Sequence, residues 1–168
     1  MIEEPTDLLI AGCFNRLFRR QRNVQLIGGA EEPLYLPAAG ARPATIRYTR
    51  DYARSALHEI GHWCIAGEER RGRTDYGYWY SPPPRDALQQ RAFYAAEVAV
   101  QSLEKLFAMA CGVPFTVSID NPGDAGVLDE KFADAVAHSV EGLSECDLSA
   151  RVRCMLEGLR RLRSRNRG

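Results

Sequence analysis

Lysine is nearly missing from this chain: Lys105 and Lys131 are the only two among 22 basic residues. Arginine in its place suits carboxylate and phosphate recognition, but a GC-rich genome produces the same bias and suffices to explain it. Basic and acidic residues balance at a net charge of zero, and no nucleic-acid partner is required. Paired cysteine motifs are also missing. Cys13, Cys64, Cys111, Cys146 and Cys154 form an odd set with no CxxC, which argues against a disulfide scaffold and a zinc ribbon and for reduced, mostly buried thiols. Uninterrupted apolar runs last only a few residues, far short of the roughly 20 that cross a bilayer, so no membrane association is expected. The first residues, Met1 to Asp7, are acidic where a secretory signal is basic and then apolar. A cytoplasmic protein is expected.

What is present fits one globular domain over residues 1–168, with 45% hydrophobic and 26% charged residues. Ile10, Cys13, Phe14 and Leu17 repeat at helical spacing after Thr6 and predict a first helix ending near Arg20 to Asn23. Short β-prone runs follow at Val24 to Ile27, Leu34 to Leu36 and Thr45 to Tyr48, separated by Gly28-Gly29, Pro33, Pro37 and Gly40. A second helix is predicted from about Asp51 to Ala66, capped by Thr49 and stopped by Gly67. The aromatic segment Asp75 to Tyr80 reads as a strand or ordered loop. Beyond Pro82-Pro83-Pro84 a long helix runs from Asp86 to Cys111. A strand is expected at Phe115 to Ile119, then helices at about Asp129 to Gly142 and Asp147 to Arg163. The fold class is α+β: a small, mostly antiparallel sheet packed with several helices. A monomer is expected.

His58-Glu59-Ile60-Gly61-His62 is the segment with chemistry in it. Histidines at i and i+4 of a helix lie one turn apart on the same side and can place two imidazole nitrogens on one metal ion. The chain's own composition produces HExxH by chance in roughly three of a thousand shuffled sequences, so a metal site is the stronger reading. Two imidazoles need at least one further ligand. Glu97 is the leading candidate, because it stands alone in the uncharged run Phe93 to Val100, where an unpaired buried carboxylate costs several kcal/mol. Ligation removes that cost; an ion pair with an arginine, or exposure to water, removes it equally well. Glu104, two turns on, is the weaker substitute. His138 is expected to be satisfied in the core or behind the ligands.

Two histidines and a carboxylate serve two chemistries, and spacing leaves both open. With zinc, Glu59 acts as general base on a water at the metal and the protein is a peptidase-like hydrolase. With iron(II), the open positions admit dioxygen and substrate, and the protein is an oxygenase. The arginine-rich end, Arg160 to Arg167, is read as a solvated helix end whose charge suits the helix dipole.

The residues around the motif narrow the choice. His58 to Gly67, continued by Arg70-Arg71, Asp75 to Tyr80 and Arg85-Asp86, resembles the elongation factor P hydroxylase family. Glu31 to Ala38 upstream, Phe93 to Leu106, Gly112 to Ser118 and Asp120-Asn121 continue the resemblance, which covers most of residues 31–121. It implies a non-heme metal enzyme that hydroxylates an already lysylated lysine on elongation factor P; because an unactivated C–H bond needs a strong oxidant, iron(II) with dioxygen as cosubstrate is expected. The ligands it implies are His58, His62 and Glu97. Zinc then becomes a substitute ion, and Glu59, the catalytic candidate, orients the site's water or a histidine. No HxD pair with a distant histidine and arginine is present, so 2-oxoglutarate is not assigned. Tyr76, Tyr78, Trp79 and Tyr80 are candidates to line a channel for the long modified lysine, against core packing as the competing reading. Asp75, Asp120 and Asn121 are candidate polar contacts to its amines.

Overall fold

A computed structural model describes residues 5–77, 84–118 and 125–166. Their elements are, in chain order, α1 (Asp7–Arg22), β1 (Val24–Ala30), β2 (Leu34–Leu36), β3 (Ala44–Thr49), α2 (Ala53–Ile65), α3 (Glu68–Arg71), a 3-10 turn (Thr74–Gly77), α4 (Ala87–Cys111), α5 (Ala125–Glu141) and α6 (Ala150–Arg165). The α+β class holds. Among these residues no helix is long and apolar enough to cross a membrane.

Helix starts follow local chemistry. The Thr6 side chain accepts from the Leu9 backbone N–H, Ser149 accepts from Val152, and Asp86 and Gln89 satisfy each other's backbone N–H groups reciprocally. Thr49 does not cap α2. It is the last residue of β3, and Ser55 Oγ reaches back to accept from its backbone N–H at 3.0 Å. The predicted strand at 115–119 is not one over its described part: residues 113–118 have no regular structure. The Thr116 carbonyl accepts from Arg54, and both backbone groups of Ser118 bond to the Gln101 side chain. Extended backbone there is satisfied by helix side chains instead of by a neighbouring strand.

The sheet order is β1-β3-β2. β2 runs antiparallel to β3, as expected, with Tyr35 opposite Ile46; β1 runs parallel to it, with Leu26 opposite Ile46. The sheet is therefore mixed instead of mostly antiparallel, because the chain leaves β1, lays β2 beyond the place β3 will take, and turns back to insert β3 between them. Asn15 of α1 covers the outer edge of β1, exchanging two hydrogen bonds with the Leu26 backbone at 2.8 and 3.0 Å.

One continuous core joins α1, the sheet, α2, the second half of α4 and α6. Trp63 of α2 packs edge-on against Phe14 and tilted against Phe18. Cys13, Cys64 and Cys111 are buried, Cys154 is half-buried and Cys146 is exposed; all five are free thiols. The arginine-rich end is an ordered part of α6 as far as Arg165. Arg160 pairs with Glu145, Arg161 with Glu157, and Arg163 donates to the Met109 carbonyl.

Candidate metal centre

Two polar stripes on apolar helices meet across the α2–α4 contact. On α2 the stripe is Arg54, His58 and His62, at i, i+4 and i+8; on α4 it is Glu97, Gln101 and Glu104, at i, i+4 and i+7. The helices run antiparallel at this contact, so Arg54 and His58 meet Glu104, and His58 and His62 meet Glu97. Close approach depends on Gly61. A Cβ there would lie 3.2 Å from the Val100 carbonyl oxygen of α4, so the helix-propensity cost of glycine is offset by the proximity it permits.

The Nε2 atoms of His58 and His62 stand 3.0 Å apart. Glu97 completes a triangle, with Oε2 3.9 Å from His58 Nε2 and Oε1 3.7 Å from His62 Nε2. Neighbouring donors on one ion bound at about 2.0–2.2 Å lie roughly 3.0–3.6 Å apart, so these separations are within a few tenths of an ångström of what a shared ion requires. Among the described residues the ion-pair partners of Glu97 are these two histidines, and Gln101 donates to its Oε2 at 3.2 Å. Glu104 is elsewhere. Its Oε2 lies 2.9 Å from Nδ1 of His58, on the far side of the ring from the triangle, while Arg54 holds its Oε1 through bonds of 3.1 and 2.9 Å.

Glu59 is buried, and one of its carboxylate oxygens lies within 4.8 Å of a nitrogen of both histidines. Burial is the main reason its carboxyl is pushed up to about 7; the charges of Glu97, Asp75 and Glu104 push the same way, and His58 opposes them. His62 is held well below its usual range by burial and by His58. Burial would also lower His58, but the bond to Glu104 and the charges of Glu97, Glu59 and Glu104 outweigh it and bring the ring to about 9.

His58, Glu59 and Glu104 open onto a cleft of about 670 Å³ whose lining also includes Asp51, Tyr52 and Arg54. Asp75 turns towards β2, where its Oδ1 accepts from the Tyr35 backbone N–H at 3.1 Å. His138, expected inside, is exposed, because it falls on the outer side of α5. Tyr78, Trp79, Tyr80, Asp120, Asn121 and the side chain of Tyr76 lie outside the described residues.

The sequence pattern of a family described as elongation factor P hydroxylase matches residues 13–167. The chain belongs to that family. A relative from Haemophilus influenzae, named elongation factor P lysine hydroxylase, is 39% identical over 155 residues, covering 89% of this chain and 85% of the relative. The family's range takes in α6 and most of α1, well beyond the motif-bearing residues 31–121. Arg54, Gln101 and the placement of Glu104 were not found by reading the sequence for ligands. The signal for them is the helical spacing itself, since Arg54 precedes His58 by one turn and Gln101 and Glu104 continue the Glu97 face.

Proposed function

We propose that this chain is a cytoplasmic, single-domain, monomeric iron(II) hydroxylase that oxidises a lysylated lysine of elongation factor P. The observation that carries this reading is the triangle of His58 Nε2, His62 Nε2 and Glu97 beside an open cleft. Those three residues would hold the ion and leave positions free. Iron(II), when bound, supplies the redox chemistry with dioxygen that insertion into an unactivated C–H bond requires and that zinc lacks.

The chain's own residues do the rest. Glu104 keeps the proton of His58 on Nδ1 and so keeps Nε2 free to ligate; Arg54 fixes Glu104, and Gln101 fixes Glu97 while tying residue 118 to α4. Glu59, buried beside both histidines, is placed to hold or release a proton at its carboxyl oxygen. Asp51 and the half-exposed ring of Tyr52 line the cleft. They suit the ammonium groups of a lysylated side chain by charge and by ring contact. Asp75, the aromatic run Tyr76 to Tyr80, and Asp120-Asn121 remain candidates for the same substrate.

The test is the intact mass of lysylated elongation factor P after incubation with the iron(II)-loaded protein in air and under argon. A gain of one oxygen, about 16 Da, only in air is expected. Peptide cleavage supported by zinc would instead favour the hydrolase chemistry of HExxH with Glu59 as base.

A further inference from the structure

A second cleft, of about 650 Å³, lies at the other end of α2 and shares no lining residue with the first. Arg20, Arg22, Arg71 and Arg151 line it, against one acidic residue, Glu68. Among the described residues none of these arginines has a carboxylate partner within salt-bridge distance. What faces them is helix ends. Arg20 and Arg22 stand in the last turn of α1, while Arg71 donates to the Ala66 carbonyl and Arg151 to the Trp63 and Ala66 carbonyls at the C-terminal end of α2.

Two helix C-termini offer roughly half a negative charge each. Set against four guanidinium groups and one carboxylate, they leave about two positive charges uncompensated. Arg71 and Arg151 are half-buried and repel one another; burial, then the charges of Arg71 and Arg22, lowers the proton affinity of Arg151. Arg71 spends one terminal nitrogen on one carbonyl and Arg151 spends one on two, and the rest of each five-donor fork remains. Trp63 forms part of the wall, with Arg151 over its ring at 4.8 Å.

We propose that this cleft is a binding site for a small phosphorylated molecule carrying two or more negative charges. Concave sites of about 300–1,000 Å³ take small ligands, and arginine forks match phosphate oxygens in pairs. The uncompensated charge selects a polyvalent anion over a single carboxylate. The site is separate from the metal centre and does not depend on the hydroxylase reading.

The experiment uses Trp63 as a local reporter. The chain has two tryptophans, so Trp79→Phe leaves Trp63 as the sole emitter, and inorganic pyrophosphate is the probe. A saturable change in emission is expected, absent with sodium chloride at equal ionic strength, with affinity weakened about tenfold or more in Arg20→Gln/Arg22→Gln. Both arginines are exposed, so the fold should survive. Because pyrophosphate also binds metal ions, the titration is repeated in Glu97→Ala, where unchanged affinity is expected; loss of the response there would place the anion at the metal centre and overturn the proposal. A response that chloride reproduces, or that the double variant keeps in full, overturns it as well. An RNA oligonucleotide that gives the same arginine-dependent response at lower concentration would replace the small molecule with a nucleic-acid backbone.

Discussion

Glu104 accepts a hydrogen bond from Nδ1 of His58 at 2.9 Å, and the pair is 46 residues apart in sequence. A carboxylate behind a ligating histidine fixes the ring's tautomer and raises its basicity. Here the carboxylate is itself nearly sealed from solvent and held by Arg54. Glu104→Ala should therefore lower iron(II) affinity by about 10- to 100-fold, with a smaller loss in Glu104→Gln, which still accepts from Nδ1. Competition against a chelator of known affinity measures this, and wild-type affinity in Glu104→Ala would remove Glu104 from the site.

Glu97 tests the third corner of the triangle. Glu97→Ala should abolish measurable iron(II) binding while leaving the fold intact, since Glu97 is no part of the apolar core. Circular dichroism and metal analysis on the same sample separate the two effects. Full retention of iron would mean that another group, Glu59 foremost by proximity, is the third ligand.

Gly61 tests the approach of the helices. Alanine is worth about 1 kcal/mol more than glycine in a helix interior, yet the Val100 carbonyl 3.2 Å from the would-be Cβ should cancel that gain in Gly61→Ala. Gly61→Val should cost about 2 kcal/mol through overpacking. It should also weaken metal binding by moving the carboxylates from the histidines. Urea unfolding checks the first and chelator competition the second; a stabilised Gly61→Ala would show that the contact is slack.

Tyr48 and Asp7 form a buried bond of 2.6 Å between β3 and the start of α1. Burial, then the bond to Asp7 and its charge, raise the phenol's pKa above the ordinary value. An unfolded tyrosine ionises near about 10, so the folded form binds this proton more tightly, and its contribution is complete below that pH and lost as pH rises beyond it. Tyr48→Phe should cost about 1–3 kcal/mol at pH 7 by stranding Asp7. That difference should narrow above about pH 10; if it stays constant in urea unfolding at both pH values, the linkage is wrong.

The thiols should divide by burial. Burial pushes Cys64 up to about 12 and Cys111 up to about 11, so both stay protonated at neutral pH and out of reach of reagents. Cys146 is exposed and Cys154 half-buried. Mass spectrometry after brief alkylation of the native protein should find label at Cys146 first and at Cys64 and Cys111 only after denaturation.

Helix extents were legible because they rest on local periodicity: α1 begins after Thr6 and α4 runs from beside Asp86 to Cys111, where the spacing predicts, while the caps at Thr6 and at Asp86 with Gln89 became visible only in the structure. Thr49 misled because a β-branched residue before a helix serves a strand end as readily as a cap. Phe115 to Ser118 misled for a related reason. Its composition favours extended backbone, but composition is silent on whether a strand edge or a helix side chain will take the hydrogen bonds.

By itself the sequence determined the α+β class, the pairing of His58 with His62 one helical turn apart, the isolation of Glu97 in an apolar run and the family to which the chain belongs. The histidine pairing and the isolation of Glu97 are properties of spacing along one element, which the 3.6-residue period converts directly into a face, whereas the family rests on resemblance across residues 31–121. Only the tertiary structure decided that Glu97 and Glu104 part company. A rigid helix held against α2 by the gap at Gly61 presents one carboxylate to the two Nε2 atoms and the other to the back of His58. That assignment depends on where α4 crosses α2, which is set by packing across the whole core and by no residue within the motif.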